Sequence, residues 1–178
     1  MLRYSEPSSI RPATEADLPA VAAIFAHYVE TSVVTFEETP PSAADWARKL
    51  RDLDDRGLPF LVATDGAAAD AVAGYAYAAP WRPKPAYRHT AENTVYLSPA
   101  HTGRGLGRAL MTALLDACAR TAVRQLVAVV VDEGAEPNRS LALHRSLGFT
   151  EAGRLSAVGH KHGRWLDTAL LQRDVFLP

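Results

Sequence analysis

The chain has 178 residues, 48% hydrophobic and 22% charged, which is enough apolar material for one buried core at the length of a single domain, 1–178. Its 19 Lys and Arg against 20 Asp and Glu leave no broad positive field, so neither nucleic acid nor an anionic membrane is an expected partner. Residues 1–10 carry Glu6 and Pro7 where a secretory peptide needs an apolar core, and the apolar run Leu126 to Val131 is far too short to span lipid; a cytoplasmic location is expected.

Ile10 to Ala13 reads as a short strand. Thr14 and Asp17 then cap a helix with the apolar stripe Leu18, Val21, Phe25, Tyr28 and Val29. Ser42 and Asp45 open a second helix in the same way, carrying Trp46, Leu50 and Leu53 and stopping at Gly57. Phe60 to Thr64, Val72 to Ala79 and Asn93 to Ser98 follow as strands, and strands in succession favour antiparallel pairing. Loop-like composition is confined to Thr64 to Asp70, Pro80 to Ala86 and Asp132 to Pro137. A third helix, Leu106 to Arg120, leads to the strand Leu126 to Val131, whose β-branched run suits burial on both faces and a parallel crossover. The only cysteine, Cys118, shares the apolar stripe of that helix with Leu110, Ala113, Leu114 and Ala117, so it reads as core. A short helix, Ser140 to Leu147, ends at Gly148, and strands near Phe149 to Leu155 and Trp165 to Asp174 close the chain. The expected fold is mixed α/β, a largely antiparallel sheet with one parallel pair, flanked by helices.

The strongest local signal is His101-Thr102-Gly103-Arg104-Gly105-Leu106-Gly107-Arg108, between a strand and a helix. Glycines let main-chain N–H groups converge, a helix N-terminus adds partial positive charge, and Arg104 and Arg108 complement phosphate, which together suit a diphosphate. The alternative is a ligand-free glycine turn. A P-loop would need Gly-Lys-Ser/Thr, and a dinucleotide fingerprint would need glycine where Arg108 stands. The histidines lack the spacing of a closed metal site, so no metal is expected.

The order strand, Gly103-Arg104-Gly105-Leu106-Gly107, helix, apolar strand, Asn138, then Leu143-His144 and Gly148-Phe149 resembles the GNAT superfamily of N-acetyltransferases along nearly the whole chain. Val34-Thr35-Phe36, Trp81 to Tyr87, Glu92 to Tyr96 and Gly159 to Asp167 look like its phosphinothricin and methionine sulfoximine N-acetyltransferase branch. The resemblance implies acetyl-CoA as cosubstrate, in a cleft where two parallel strands splay apart. Its pyrophosphate would lie on Thr102, Gly103, Arg104, Gly105, Leu106, Gly107 and Arg108, its pantetheine along Val95, Tyr96 and Leu97, with Asn138 also at the cofactor. It also implies a homodimer. Thr102 stands where the superfamily usually has Gln or Arg.

Acyl transfer from a thioester to an amine needs a neutral amine, a donor for the oxyanion and a proton for the thiolate. The resemblance gives Glu92 the base role; a solvent-facing carboxylate on an alternating strand is the other reading. A backbone N–H near Tyr96 or Leu97 would hold the oxyanion. His144 stands where many relatives carry a tyrosine proposed as proton donor; it reads equally as a buried, hydrogen-bonded helix histidine. Arg82, Lys84 and Tyr87, with Phe36, Asn93 and Thr94, are the expected substrate contacts, and the cations suit a small acidic amino acid analogue such as phosphinothricin, methionine sulfoximine or methionine sulfone. Lys161, His162 and Arg164 form a second basic cluster without an assigned role. The alternatives are the same fold acting on a peptide N-terminus, a polyamine or an aminoglycoside, and a non-catalytic acyl-CoA sensor.

Overall fold

The computed structural model describes residues 9–65, 71–134 and 138–175. The loops expected at Thr64 to Asp70 and Asp132 to Pro137 therefore fall partly outside the described residues.

Local capping chemistry sets the first helices. Strand β1 (Ile10–Pro12) leads into a 3-10 turn, Glu15–Asp17, and helix α1 (Leu18–Thr31). The Asp17 carboxylate accepts hydrogen bonds from the Thr14 N–H at 2.8 Å, the Thr14 hydroxyl at 2.9 Å and both ends of the Arg11 guanidinium at 2.7 and 2.8 Å. Helix α2 (Ala43–Asp55) opens on the expected Ser42/Asp45 capping box, and the chain leaves it through Gly57 at φ 64°.

Strands β2 (Phe60–Thr64), β3 (Val72–Pro80) and β4 (Thr90–Leu97) pair antiparallel in succession. Strand β4 begins three residues earlier than its apolar run suggests, which brings Glu92 inside it. Helix α3 (Leu106–Ala119) returns the chain to β5 (Gln125–Asp132), which pairs parallel with β4. Helix α4 (Arg139–Ser146) precedes β6 (Thr150–Lys161) and β7 (Arg164–Asp174). Among the described residues the sheet runs β1-β2-β3-β4-β5-β7-β6, with β4–β5 the parallel pair.

One face of the sheet packs on α3, where Leu110, Met111, Leu114 and Cys118 meet Ala76, Ala91, Leu126 and Leu171. The other face carries α1 and α2 over an aromatic cluster of Phe25, Trp46, Phe60, Tyr75 and Tyr77. Each large side chain sealed in these layers contributes about 1.5–3 kcal/mol through removal from water.

Two expectations need correction. Strand β5 is not buried on both faces throughout: Leu126, Ala128 and Val130 face the α3 core, but Val129 is 38% exposed, because on that side β5 has already parted from β4. Strand β6 runs past Leu155 to Lys161, because a bulge at Ala157 restores its pairing and the tight turn at His162 and Gly163 (φ 49° and 72°) closes a hairpin with β7.

Candidate active site

The parallel pairing of β4 and β5 covers only Thr90↔Gln125, Ala91↔Leu126 and Glu92↔Val127. Beyond Glu92 the two strands part. The Thr90 C=O and the Ser98 N–H bond toward β3, and the His89 C=O bonds toward β5. Alternation along β4 therefore turns the main-chain groups of Asn93, Val95 and Leu97 to the open gap, and those of Tyr96 to β3. This divides the expected Val95–Leu97 stretch: Val95 and Leu97 offer main-chain groups to the gap, and Tyr96 does not. The Tyr28 hydroxyl donates to the Leu97 C=O at 2.7 Å and steadies this edge.

Next in the chain comes the glycine turn. Gly103 and Gly105 sit at φ 76° and 80°, and Gly105 is the N-cap of α3. Among the described residues no side chain caps α3, and the N–H groups of its first turn point out of the helix. Leu106 is buried and anchors the turn, Gly107 leaves room beside Leu97 and Leu143, and Arg104 is exposed. Arg108 donates to the Ser146 hydroxyl at 2.8 Å, and the Thr102 hydroxyl donates to the Pro99 C=O at 3.2 Å. Uncapped amides, αL glycines and an exposed guanidinium suit a diphosphate.

Side chains alternate oppositely to the main-chain groups. Glu92, Thr94 and Tyr96 face the α1/α2 side, across β3 from Ala79, Tyr77 and Tyr75. Glu92 is half-buried, and burial raises its pKa above 4.5, opposed by the charges of Arg82 and Lys49. Arg82 lies over the Trp81 ring, 4.7 Å from its centroid. The loop between α1 and α2 closes this side: Lys161 donates to the Thr35 C=O at 2.9 Å, and the Phe36 ring rests on Gly159 so closely that a Cβ there would fall 2.2 Å from it.

Asn93 takes the other face. It is buried against Met111, and its amide nitrogen lies 2.9 Å from His144 Nε2, while His144 Nδ1 lies 2.8 Å from the Ser140 C=O. That network puts the imidazole proton on Nδ1, donated to Ser140, and makes Nε2 an acceptor. His144 is 2% exposed and burial lowers its pKa, so it stays neutral. The arrangement fits a buried structural histidine better than a proton donor.

An acetyltransferase (GNAT) domain model matches residues 10–170. The chain belongs to the GNAT acetyltransferase family. It is 45% identical over 168 residues to a phosphinothricin N-acetyltransferase of Alcaligenes faecalis, covering 94% of this chain and 82% of that one. An L-methionine sulfoximine/L-methionine sulfone acetyltransferase of Pseudomonas aeruginosa is 38% identical, over 94% of this chain and 95% of the relative. The crystal structure of a phosphinothricin acetyltransferase from Sinorhizobium meliloti in complex with AcCoA superposes with a TM-score of 0.88 at 44% identity, covering 95% of this chain and 89% of that one.

Within this GNAT enzyme the remaining expected residues separate. Arg82, Lys84 and Tyr87 together line a hollow of about 280 Å³ with Arg88, Thr90 and Val123, at the start of β4. Asn138 caps α4, accepting from the Leu141 N–H at 3.1 Å and donating to the Val131 C=O at 3.0 Å. The basic run 161–164 is not one cluster: Lys161 is buried on Thr35, His162 forms the hairpin turn, and Arg164 pairs with Glu133 at 3.1 Å. Sequence reasoning missed Lys49, which bonds the Tyr77 hydroxyl at 3.1 Å and whose charge is felt at Glu92, because it lies within a charged amphipathic helix where lysine is ordinarily solvated. Tyr28 was legible only as part of a stripe, since its hydroxyl partner is 69 residues away.

Proposed function

We propose that this enzyme moves the acetyl group of acetyl-CoA to the amino group of a small acidic amino acid analogue of the phosphinothricin, methionine sulfoximine or methionine sulfone type, with Glu92 as general base. One observation carries the reading: Glu92 occupies the last paired rung before β4 and β5 part, half-buried and within the electrostatic influence of Arg82 and Lys49. The acceptor and cofactor classes are those named for the relatives.

Bound acetyl-CoA supplies the electrophilic carbonyl and the leaving thiolate. The amides of Leu106 to Arg108, with Arg104, take the pyrophosphate. Glu92 removes a proton from the acceptor ammonium; the freed nitrogen forms a bond to the acyl carbon, and the C–S bond breaks. The N–H of Val95 or Leu97, on the open edge of β4, faces the negative charge that develops on the carbonyl oxygen. The newly bonded nitrogen gives up its second proton to solvent as the amide forms, and the thiolate takes its proton from solvent. A raised Glu92 pKa makes the carboxylate a stronger base, and the charges of Arg82 and Lys49 oppose that rise.

The cations argue against polyamine and aminoglycoside acceptors, which they repel. A homodimer fits the exposed Leu155, Val158 and Trp165 on the β6–β7 hairpin. Thiol release from acetyl-CoA tests the reaction: turnover is expected with phosphinothricin or methionine sulfone and not with spermidine. No release with any amine removes the reading in favour of a sensor, and preference for spermidine reverses the acceptor assignment.

A further inference from the structure

The three cations of the middle of α2 have different fates. Arg48 is bonded to Asp45, and Arg51 lies 3.6 Å from Glu15; both project to solvent. Lys49 turns inward. Its ammonium lies 3.1 Å from the Tyr77 hydroxyl, 4.8 Å from the Tyr77 ring centroid and 5.5 Å from that of Trp46. Among the described residues no carboxylate is in ion-pair contact with it. A cation held by a phenol and two aromatic faces keeps much of its capacity for an anion, because a ring quadrupole replaces only part of the hydration it loses.

Lys49 also borders a cavity of about 650 Å³ between α2, the α1–α2 loop and the end of β3. Ala79 and Pro80 form the sheet wall of that cavity, and Ala79 is the direct cross-strand partner of Glu92. The cavity thus adjoins the β3 position that pairs with Glu92, with Lys49 on its helical wall. Glu37, Asp45 and Asp52 also line it, as do Arg48, which is bonded to Asp45, and Arg56; Lys49 is the cation of this lining that is bonded to the sheet, through Tyr77.

We infer that Lys49 is a specificity-determining residue, receiving the α-carboxylate of the acceptor while Glu92 receives its ammonium. This rests on the acceptor class proposed above. In an α-amino acid the two charged groups are separated by a single carbon, so whatever binds the ammonium at Glu92 must find a cation immediately beside it. The fold brings them to one place: Lys49 is bonded to Tyr77, which shares a face of β3 with Ala79, the cross-strand partner of Glu92. Tyr77 is the positioning residue: its hydroxyl oxygen accepts from the ammonium and fixes its direction. Arg82 stacks on the Trp81 indole in the β3–β4 loop, whereas Lys49 comes from α2.

The test compares methionine sulfone with its carboxamide, which keeps the amine and side chain and removes the carboxylate charge. For Lys49→Met, which retains the apolar stem, KM for methionine sulfone should rise by about tenfold or more, the loss of one charge-assisted hydrogen bond. Turnover number should change little, KM for the carboxamide should stay the same, and Lys49→Arg should recover most of the loss. Tyr77→Phe should give an intermediate rise in KM for methionine sulfone alone, and carries the test if Lys49→Met does not fold. Equal changes for both acceptors, or none for either, overturn the assignment: a cation acting only on the charge of Glu92 would affect both acceptors alike and shift the pH profile. If the unaltered enzyme acetylates other amines but neither of these, the acceptor class itself falls, and this assignment with it.

Discussion

Replacing Glu92 by Gln keeps the size and hydrogen-bonding reach of the side chain and removes its basicity. Turnover should fall by about 10²- to 10⁴-fold, or about 3–5 kcal/mol of barrier, the usual contribution of a positioned base. Acetyl-CoA affinity should stay constant, since the diphosphate amides lie at the other end of the gap. The pH profile separates this from a structural effect. Because burial raises the Glu92 pKa above 4.5, kcat/KM of the unaltered enzyme should fall as pH drops through that raised value, with a limiting slope of about tenfold per pH unit. The ionisation of the acceptor ammonium adds a second limb at alkaline pH. Glu92→Gln should lose the limb set by Glu92, and its residual rate, confined to acceptor that is already neutral, should rise with pH toward the ammonium pKa. A variant within threefold of the parent (about 0.6 kcal/mol), or one that keeps the parent's limb at the Glu92 pKa, would refute the base assignment.

Two further outcomes follow from packing and charge. The Arg11 guanidinium holds the Asp17 carboxyl at about 2 instead of 3.8, so Asp17→Asn should cost about 2 kcal/mol in urea unfolding at neutral pH. The depressed pKa makes that contribution full above 3.8, and the gap between parent and variant should close as pH falls toward about 2. Gly74→Ala would place a Cβ 2.5 Å from Leu97 Cδ2 and 2.9 Å from the Tyr96 C=O, and a strand backbone cannot yield as a side chain does. It should lower stability by about 1–3 kcal/mol and, by displacing the Leu97 edge, weaken acetyl-CoA binding; a thermal melt and calorimetry check both.

Local chemistry made most of the fold legible. The capping pairs Thr14/Asp17 and Ser42/Asp45, the helix stop at Gly57 and the glycine turn before α3 each act within a few residues, and each fixes an element boundary. The parallel junction followed from a helix between two strands. What stayed hidden depends on distant partners. Asn93 adjoins Glu92 in sequence, yet strand alternation sends it to the α3 face and His144. Lys161 looks like a surface cation until the α1–α2 loop covers it, and its 3% exposure arises from a contact 126 residues away. Arg82, Lys84 and Tyr87 line one hollow at the start of β4, but that the hollow also takes in Arg56 and Val123 is set by contacts distant in sequence. The extension of β6 escaped notice because its bulge at Ala157 breaks the alternation from which a strand is read.

A crystal structure with acetyl-CoA bound would test the central claim most directly. The pyrophosphate should rest on the amides of Leu106, Gly107 and Arg108, and the thioester should lie in the gap past Glu92 and Val127, its carbonyl oxygen toward the N–H of Val95 or Leu97. Acetyl-CoA bound outside that gap, with the α3 amides uncontacted, would contradict the account.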